Sequence, residues 1–112
     1  MSEDPRELAR LARAAKEARW SELGLSQDLW RHVDADGLLT EWPARKQIAA
    51  REAALDYLAD LFDAEPINER TVNDRLRTRH AFNDPALLRR ELVDTGRLER
   101  TSDGSSYVRK TS

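Results

Sequence analysis

Residues 84–110, DPALLRRELVDTGRLERTSDGSSYVRK, must begin a helix, end it and reverse as a hairpin in one short stretch. Few small folds accommodate that order. Asp84 can cap a helix whose first residue is Pro85, and Gly96 suits the left-handed residue that closes it. Leu88 and Leu92, with Leu87 alongside, form the apolar side. Two hairpin registers then compete. A two-residue turn at Asp103 and Gly104 sets Leu98 opposite Arg109. A three-residue loop, Ser102 to Gly104 with Gly104 left-handed, sets Leu98 opposite Val108 and unites the aliphatic pair. The second is the expected register. It turns Leu98, Arg100 and Val108 inward or toward the tip, and Arg97, Glu99, Thr101, Tyr107 and Arg109 outward.

The segments upstream supply the rest of an architecture. Asp4, Pro5 and Glu7 predict a helix from Pro5 to about Leu23, with Glu7 as capping-box partner and a thin stripe of Leu8, Leu11, Ala12, Ala15 and Ala18. Such a stripe needs a covering surface, either the body of the domain or a second chain. Ser26 caps a short helix through Val33. Asp36 and Gly37 turn the chain into a candidate strand, Leu38–Trp42, stopped by Pro43. Ala44–Phe62 reads as the main core helix, with Ile48, Leu55, Leu58 and Phe62 on its apolar face. Asn68 caps the next helix, which runs to about Arg79, buries Val72 and Leu76, and has Ile67 and Val72 in hydrophobic-staple positions.

The expected fold is mainly α with a small β-hairpin, a winged-helix-like domain (helix-turn-helix plus wing) over 34–112, preceded by an N-terminal helical extension over 1–33. One feature departs from the usual order. The first strand normally follows the first helix of such a domain, whereas Leu38–Trp42 precedes it.

The segments DGLLTEWPARKQ, TVNDRL and DPALLRRELVDTGRLERTSDGSSYVR resemble the bacterial domain of unknown function 2087 family over about residues 34–110. The matching positions are Val72 and Asn73, then Leu88, Arg89, Arg90, Leu92, Val93, Asp94, Gly96, Leu98 and Arg100. Members of that family are often joined to a helix-turn-helix regulator domain, so the resemblance implies a transcriptional setting. The family brings no catalytic residue.

The chemistry that remains is charge. The 112-residue chain has a net charge of −2 and no cysteine, which fits a reducing, cytoplasmic compartment. Its N-terminal segment lacks the apolar run of a signal peptide or membrane span. Residues 1–68 hold 9 basic against 14 acidic side chains; residues 69–112 hold 10 against 7. The basic surplus therefore sits on the helix-turn-helix and hairpin. Arg70, Arg77, Arg89, Arg90, Arg97, Arg109 and Lys110 are the candidate contacts to double-stranded DNA, neutralising roughly 4 to 6 phosphates. Acidic neighbours, Glu91, Asp94 and Glu99, interrupt that set.

The competing reading is a protein-interaction module, joined as a homodimer or to another protein through residues 5–23 and the segment bearing Trp20, Trp30 and Trp42. No catalytic, metal or cofactor site is expected. His32 and His80 are not spaced as ligands; His32 is expected as a surface or interface residue of the short helix and His80 at a helix end. Gly37 falls too early after Asp34 for a calcium loop, and Arg45 stands where the closing glutamate would be. All four glycines are isolated at turns, so no phosphate loop exists.

Overall fold

Four polar side chains set the helix starts in the computed structural model, which describes residues 4–110. The Asp4 carboxylate accepts from the Arg6 amide, starting α1 (Pro5–Glu22). Ser26 caps a 3-10 helix (Gln27–His32), Asn68 caps α3 (Glu69–Arg77) and Asp84 caps α4 (Pro85–Asp94). Each cap occupies an amide that the first helical turn would otherwise leave unbonded. Glu7, expected as the capping-box partner, takes the Arg10 guanidinium at 2.9 Å.

The central helix α2 (Ile48–Ala59) is shorter at both ends than its apolar spacing predicts. At its start, the Gln47 side chain accepts from the Ala44 amide and Arg51 Nε donates to the Pro43 carbonyl, so Ala44–Gln47 is a turn. Ile48 consequently opens the helix facing water, 69% exposed, and is no part of the core. Past Ala59 the chain tightens through bonds from Leu61 to Leu58 and Phe62 to Ala59. The buried face of α2 is Ala54, Leu55, Leu58 and Ala59, continued by Phe62.

Leu38–Trp42 is not a strand. Only Leu39 pairs, antiparallel to Val33 and parallel to His80. Its N–H donates to the Arg79 carbonyl and its C=O accepts from Ala81, both at 2.8 Å. The fully buried Leu39 side chain pins this strap against the end of α3. The strand position expected after the first domain helix is filled elsewhere: Ile67 and Tyr107 exchange two backbone bonds, of 3.0 and 2.8 Å. With that pairing the order α2, Ile67, α3, α4, hairpin is winged-helix-like, and the apparent departure in strand order disappears.

The hairpin, β1 (Leu98–Arg100) and β2 (Tyr107–Arg109), takes the register that sets Leu98 opposite Arg109 and Arg100 opposite Tyr107. The expected pairing of Leu98 with Val108 is wrong, and so is the inward and outward assignment of β2. Tyr107 is buried while Val108 is half-buried on the other face with Glu99. An aromatic ring removes more apolar area from water than a valine, and Tyr107 alone reaches Ile67 and the Glu69 carboxylate, which accepts from its hydroxyl at 3.1 Å. The loop itself is four residues long. Thr101 and Ser106 close it, and Gly104, at φ +75°, donates to the Thr101 carbonyl.

Asp103 organises that loop by accepting from the Ser105 amide and from the Thr101 and Ser105 hydroxyls. The Ser105 amide first, then the two hydroxyls, hold its carboxyl at about 2. Because the folded value is depressed, the loop's contribution is complete above the ordinary carboxylate value and is lost as pH falls through about 2. The Ser105 amide resonance should therefore titrate with a midpoint near 2. An ordinary carboxylate midpoint of about 4 would show that these bonds are absent.

The core lies between α2, α3, α4, the 3-10 helix and the hairpin, with Leu29, Leu58, Val72, Leu76, Leu88 and Leu92 fully buried. Trp20 and Leu25 join it from the amino-terminal side. No described helix is long and apolar enough to cross a membrane.

Candidate functional site

On α2, Glu52, Asp56 and Asp60 recur every four residues and so share one face. Two wing arginines are spent on that acidic row. Arg97 donates through Nε to Asp56 at 3.0 Å and through Nη2 to Glu52. Arg109 donates to Asp60 at 3.2 Å. Burial opposes the charge on Arg97, yet the two carboxylate bonds outweigh it and raise its pKa above the ordinary guanidinium value. Their side chains, 18% and 34% exposed, point back to α2 rather than outward as the expected register placed them. The acidic spacing was visible in the sequence; its partners lie 41 to 49 residues away.

The other candidates divide again. Arg89 ties α4 to α3, donating to Asn73 Oδ1 at 2.6 Å and lying 3.4 Å from Glu69. Arg77 pairs with Asp74 one turn earlier at 2.8 Å. Arg70 and Arg90 are exposed and make no hydrogen bond or ion pair with a described residue. Lys110 is exposed at the hairpin's end, where its amide donates to the Arg97 carbonyl.

Arg100, left out of the candidate set, belongs with Arg90. The register puts it opposite Tyr107, where with Arg89, Arg90, Val93 and Asp94 it lines a cleft of about 150 Å³ between α4 and the wing. That guanidinium lies over Gly104, where a Cβ would stand 2.5 Å from Arg100 Nη2 and displace it. The unpaired cations of the helix-turn-helix and wing are thus few, and Asp94 and Glu99 are exposed among them. Such a face can hold phosphates weakly and in a salt-sensitive way.

Neither histidine is a free surface group. His32, expected as a surface or interface residue, is buried within the domain with Nδ1 2.9 Å from Glu41, because the strap folds back over the 3-10 helix. His80 is also buried. Its Nδ1–H donates to the Leu76 carbonyl at 2.7 Å and its Nε2 accepts from the Asp84 amide at 2.9 Å, clasping the end of α3 to the cap of α4. Among the described residues no three His, Asp or Glu side chains converge as metal ligands.

The amino-terminal helix presents a different kind of surface. Of its 18 residues only Trp20 is buried. Trp20 Nε1 donates to the Asp34 carbonyl at 2.9 Å and Arg19 lies 3.6 Å from Asp36, so the last turn is fastened to the body. The turns before it project. The molecule measures 60 × 27 × 26 Å with a radius of gyration of 16.4 Å, against about 13 Å for a compact chain of this length. Leu8 and Leu11 are 52% and 50% exposed.

Between α1 and the 3-10 helix lies a cleft of about 810 Å³ floored by Trp20 and Trp30, whose ring centroids are 5.4 Å apart. Trp30 Nε1 donates to the Leu25 carbonyl, so both indole N–H groups are satisfied by backbone. Trp42, half-buried, packs against the core with the Arg51 guanidinium 5.6 Å from its ring. The three tryptophans therefore belong to the packing of the domain, and the exposed large apolar side chains are Leu8 and Leu11 on α1, Leu23 just after it and Ile48 on α2.

No curated protein and no solved structure matches the chain. The model of a family described as uncharacterised proteins conserved in bacteria matches residues 38–109, from the strap through α4 to the end of the wing, leaving α1 and the 3-10 helix outside the match; the chain belongs to this family, DUF2087.

Proposed function

We propose that the protein is a non-enzymatic, cytoplasmic protein-interaction module whose docking element is α1, and that α1 pairs with α1 of a second copy. The carrying observation is the projecting helix with Leu8 and Leu11 half exposed and a single buried residue. An isolated helix of this length is marginal in water, so a covering surface stabilises it.

The side chains support a self-pairing. Leu8, Leu11, Ala15 and Ala18 fall at the a and d positions of two heptads, and Ala12 and Ala14 at the flanking e and g positions. Arg10, Arg13, Lys16 and Glu17 all fall outside this strip. In an antiparallel pair each core layer joins an a residue to a d residue of the other helix, which sets Leu8 against Ala18 and Leu11 against Ala15. Every layer is then one large and one small side chain, and the helices lie at an even spacing.

Sedimentation equilibrium over a concentration series tests this. The full chain should dimerise with a micromolar dissociation constant while Leu8→Glu/Leu11→Glu stays monomeric. A wild-type chain monomeric throughout the series overturns the self-pairing.

A second reading rests on the helix-turn-helix and wing order with Arg90 and Arg100 beside one cleft: weak duplex-DNA binding in a transcriptional setting. Fluorescence anisotropy with a mixed-sequence duplex at low salt checks it, and Arg90→Ala/Arg100→Ala should abolish the signal.

A further inference from the structure

The cleft between α1 and the 3-10 helix is not covered by the pairing just described. Its α1 wall is centred on Ala9, Arg13, Lys16 and Trp20, with Ala12 on the edge shared with the pairing strip, whereas the centre of that strip, Leu11 and Ala15, lies about 150° around the helix. The cleft combines two properties. Its floor and near wall are apolar: the half-buried Trp30 shows ring surface beside the buried Trp20, both N–H groups are turned into backbone carbonyls, and the alanines leave room for a close approach. Its rim is cationic. Arg13, Lys16 and Arg31 are exposed and make no hydrogen bond or ion pair with a described residue, and only Glu17 opposes them.

We propose that this cleft docks an acidic amphipathic helix of a partner protein, its bulky apolar residues seated on Trp30 and the α1 alanines and its carboxylates meeting Arg13, Lys16 and Arg31. The proposal deepens the interaction reading and rests on it. Charge selects the occupant. The amino-terminal half of α1 itself carries Arg6, Arg10 and Arg13 against Glu7, so a second copy would bring net positive charge to a cationic rim. The floor selects polypeptide over single-stranded nucleic acid. Trp20 is only 9% exposed and the two rings are tilted 42° to each other, so they offer no pair of open faces for successive bases to stack on. A helix laid along α1 runs past Ala9, Ala12 and Lys16, residues that share a face at helical spacing.

The probes are a fluorescein-labelled Leu/Glu amphipathic helical peptide, its Leu/Lys counterpart and an oligothymidylate, each titrated into the full chain. The Leu/Glu peptide should bind, and Arg13→Glu/Lys16→Glu/Arg31→Glu should weaken it by about tenfold or more. These residues are exposed and lie outside the Leu8 and Leu11 strip, so the variant should keep the wild-type melting temperature and the wild-type sedimentation behaviour. Equal binding of the Leu/Lys peptide, tighter binding of oligothymidylate, an undiminished affinity in the variant or no binding at all each overturns the proposal. Sedimentation of the same samples separates the two ideas: a chain that dimerises yet ignores the Leu/Glu peptide loses the cleft and keeps the pairing.

Discussion

Tyr107→Ala is expected to destabilise the fold by about 3–5 kcal/mol, the range for removing a large buried aromatic side chain. Tyr107 is 2% exposed, pairs with Arg100 on one side and Ile67 on the other, and donates its hydroxyl to Glu69. One residue thus joins the wing, the segment before α3 and the first turn of α3. Burial first, and the bond to Glu69 second, push its phenol pKa up. Tyr107→Phe keeps the ring and loses only the hydroxyl bond, so it should cost about 0.5–1.5 kcal/mol. Urea denaturation of both variants checks the pair. A Tyr107→Ala loss no larger than that of Tyr107→Phe would show that the ring is not in the core.

His80→Ala should cost about 2–4 kcal/mol, from the volume removed, from the Asp84 amide losing its acceptor and from the Leu76 carbonyl being left with the Arg79 amide alone. The imidazole is the one side chain that bonds the end of α3 and the cap of α4 together, and Phe82 packs on it with ring centroids 4.7 Å apart. The loss should be local before it is global. Amide exchange in the first turn of α4 should accelerate more than exchange in α2. A stability within about 0.5 kcal/mol of wild type, the usual spread for a surface substitution, would remove His80 from the clasp.

What could be read from the residues divides along physical lines. The caps at Asp4, Ser26, Asn68 and Asp84 were legible because a cap is a bond between a side chain and an amide two or three residues away. The apolar faces of α3 and α4 were legible for a similar reason: Val72 with Leu76, and Leu88 with Leu92, recur at one helical turn. Ile48 has the same spacing and is solvent-facing, because Gln47 and Arg51 end the preceding turn just before it. Periodicity locates a stripe and does not say where a helix begins.

The hairpin register was undecidable from its own two strands. Pairing Leu98 with Val108 unites two aliphatic residues, but the sheet has a third member, and Ile67 with Glu69 draws Tyr107 inward. The arginines follow the same rule. Arg97 and Arg109 carry the basic surplus that suggests DNA, and both are taken by Glu52, Asp56 and Asp60 once α2 lies beside the wing. Arg100, set aside in the expected register, is left beside Arg90.

The sequence by itself determined where the side-chain-capped helices start, the order of helix-turn-helix and wing, and the unbroken apolar strip of α1, since each depends on residues within a turn or two of one another. Only the tertiary structure decided the wing's register, the pairing of its arginines and the projection of α1. Those depend on which distant surfaces meet, and there the exchange of a charge's hydration for a carboxylate, or of a ring's exposure for a core, is settled by packing rather than by local pattern.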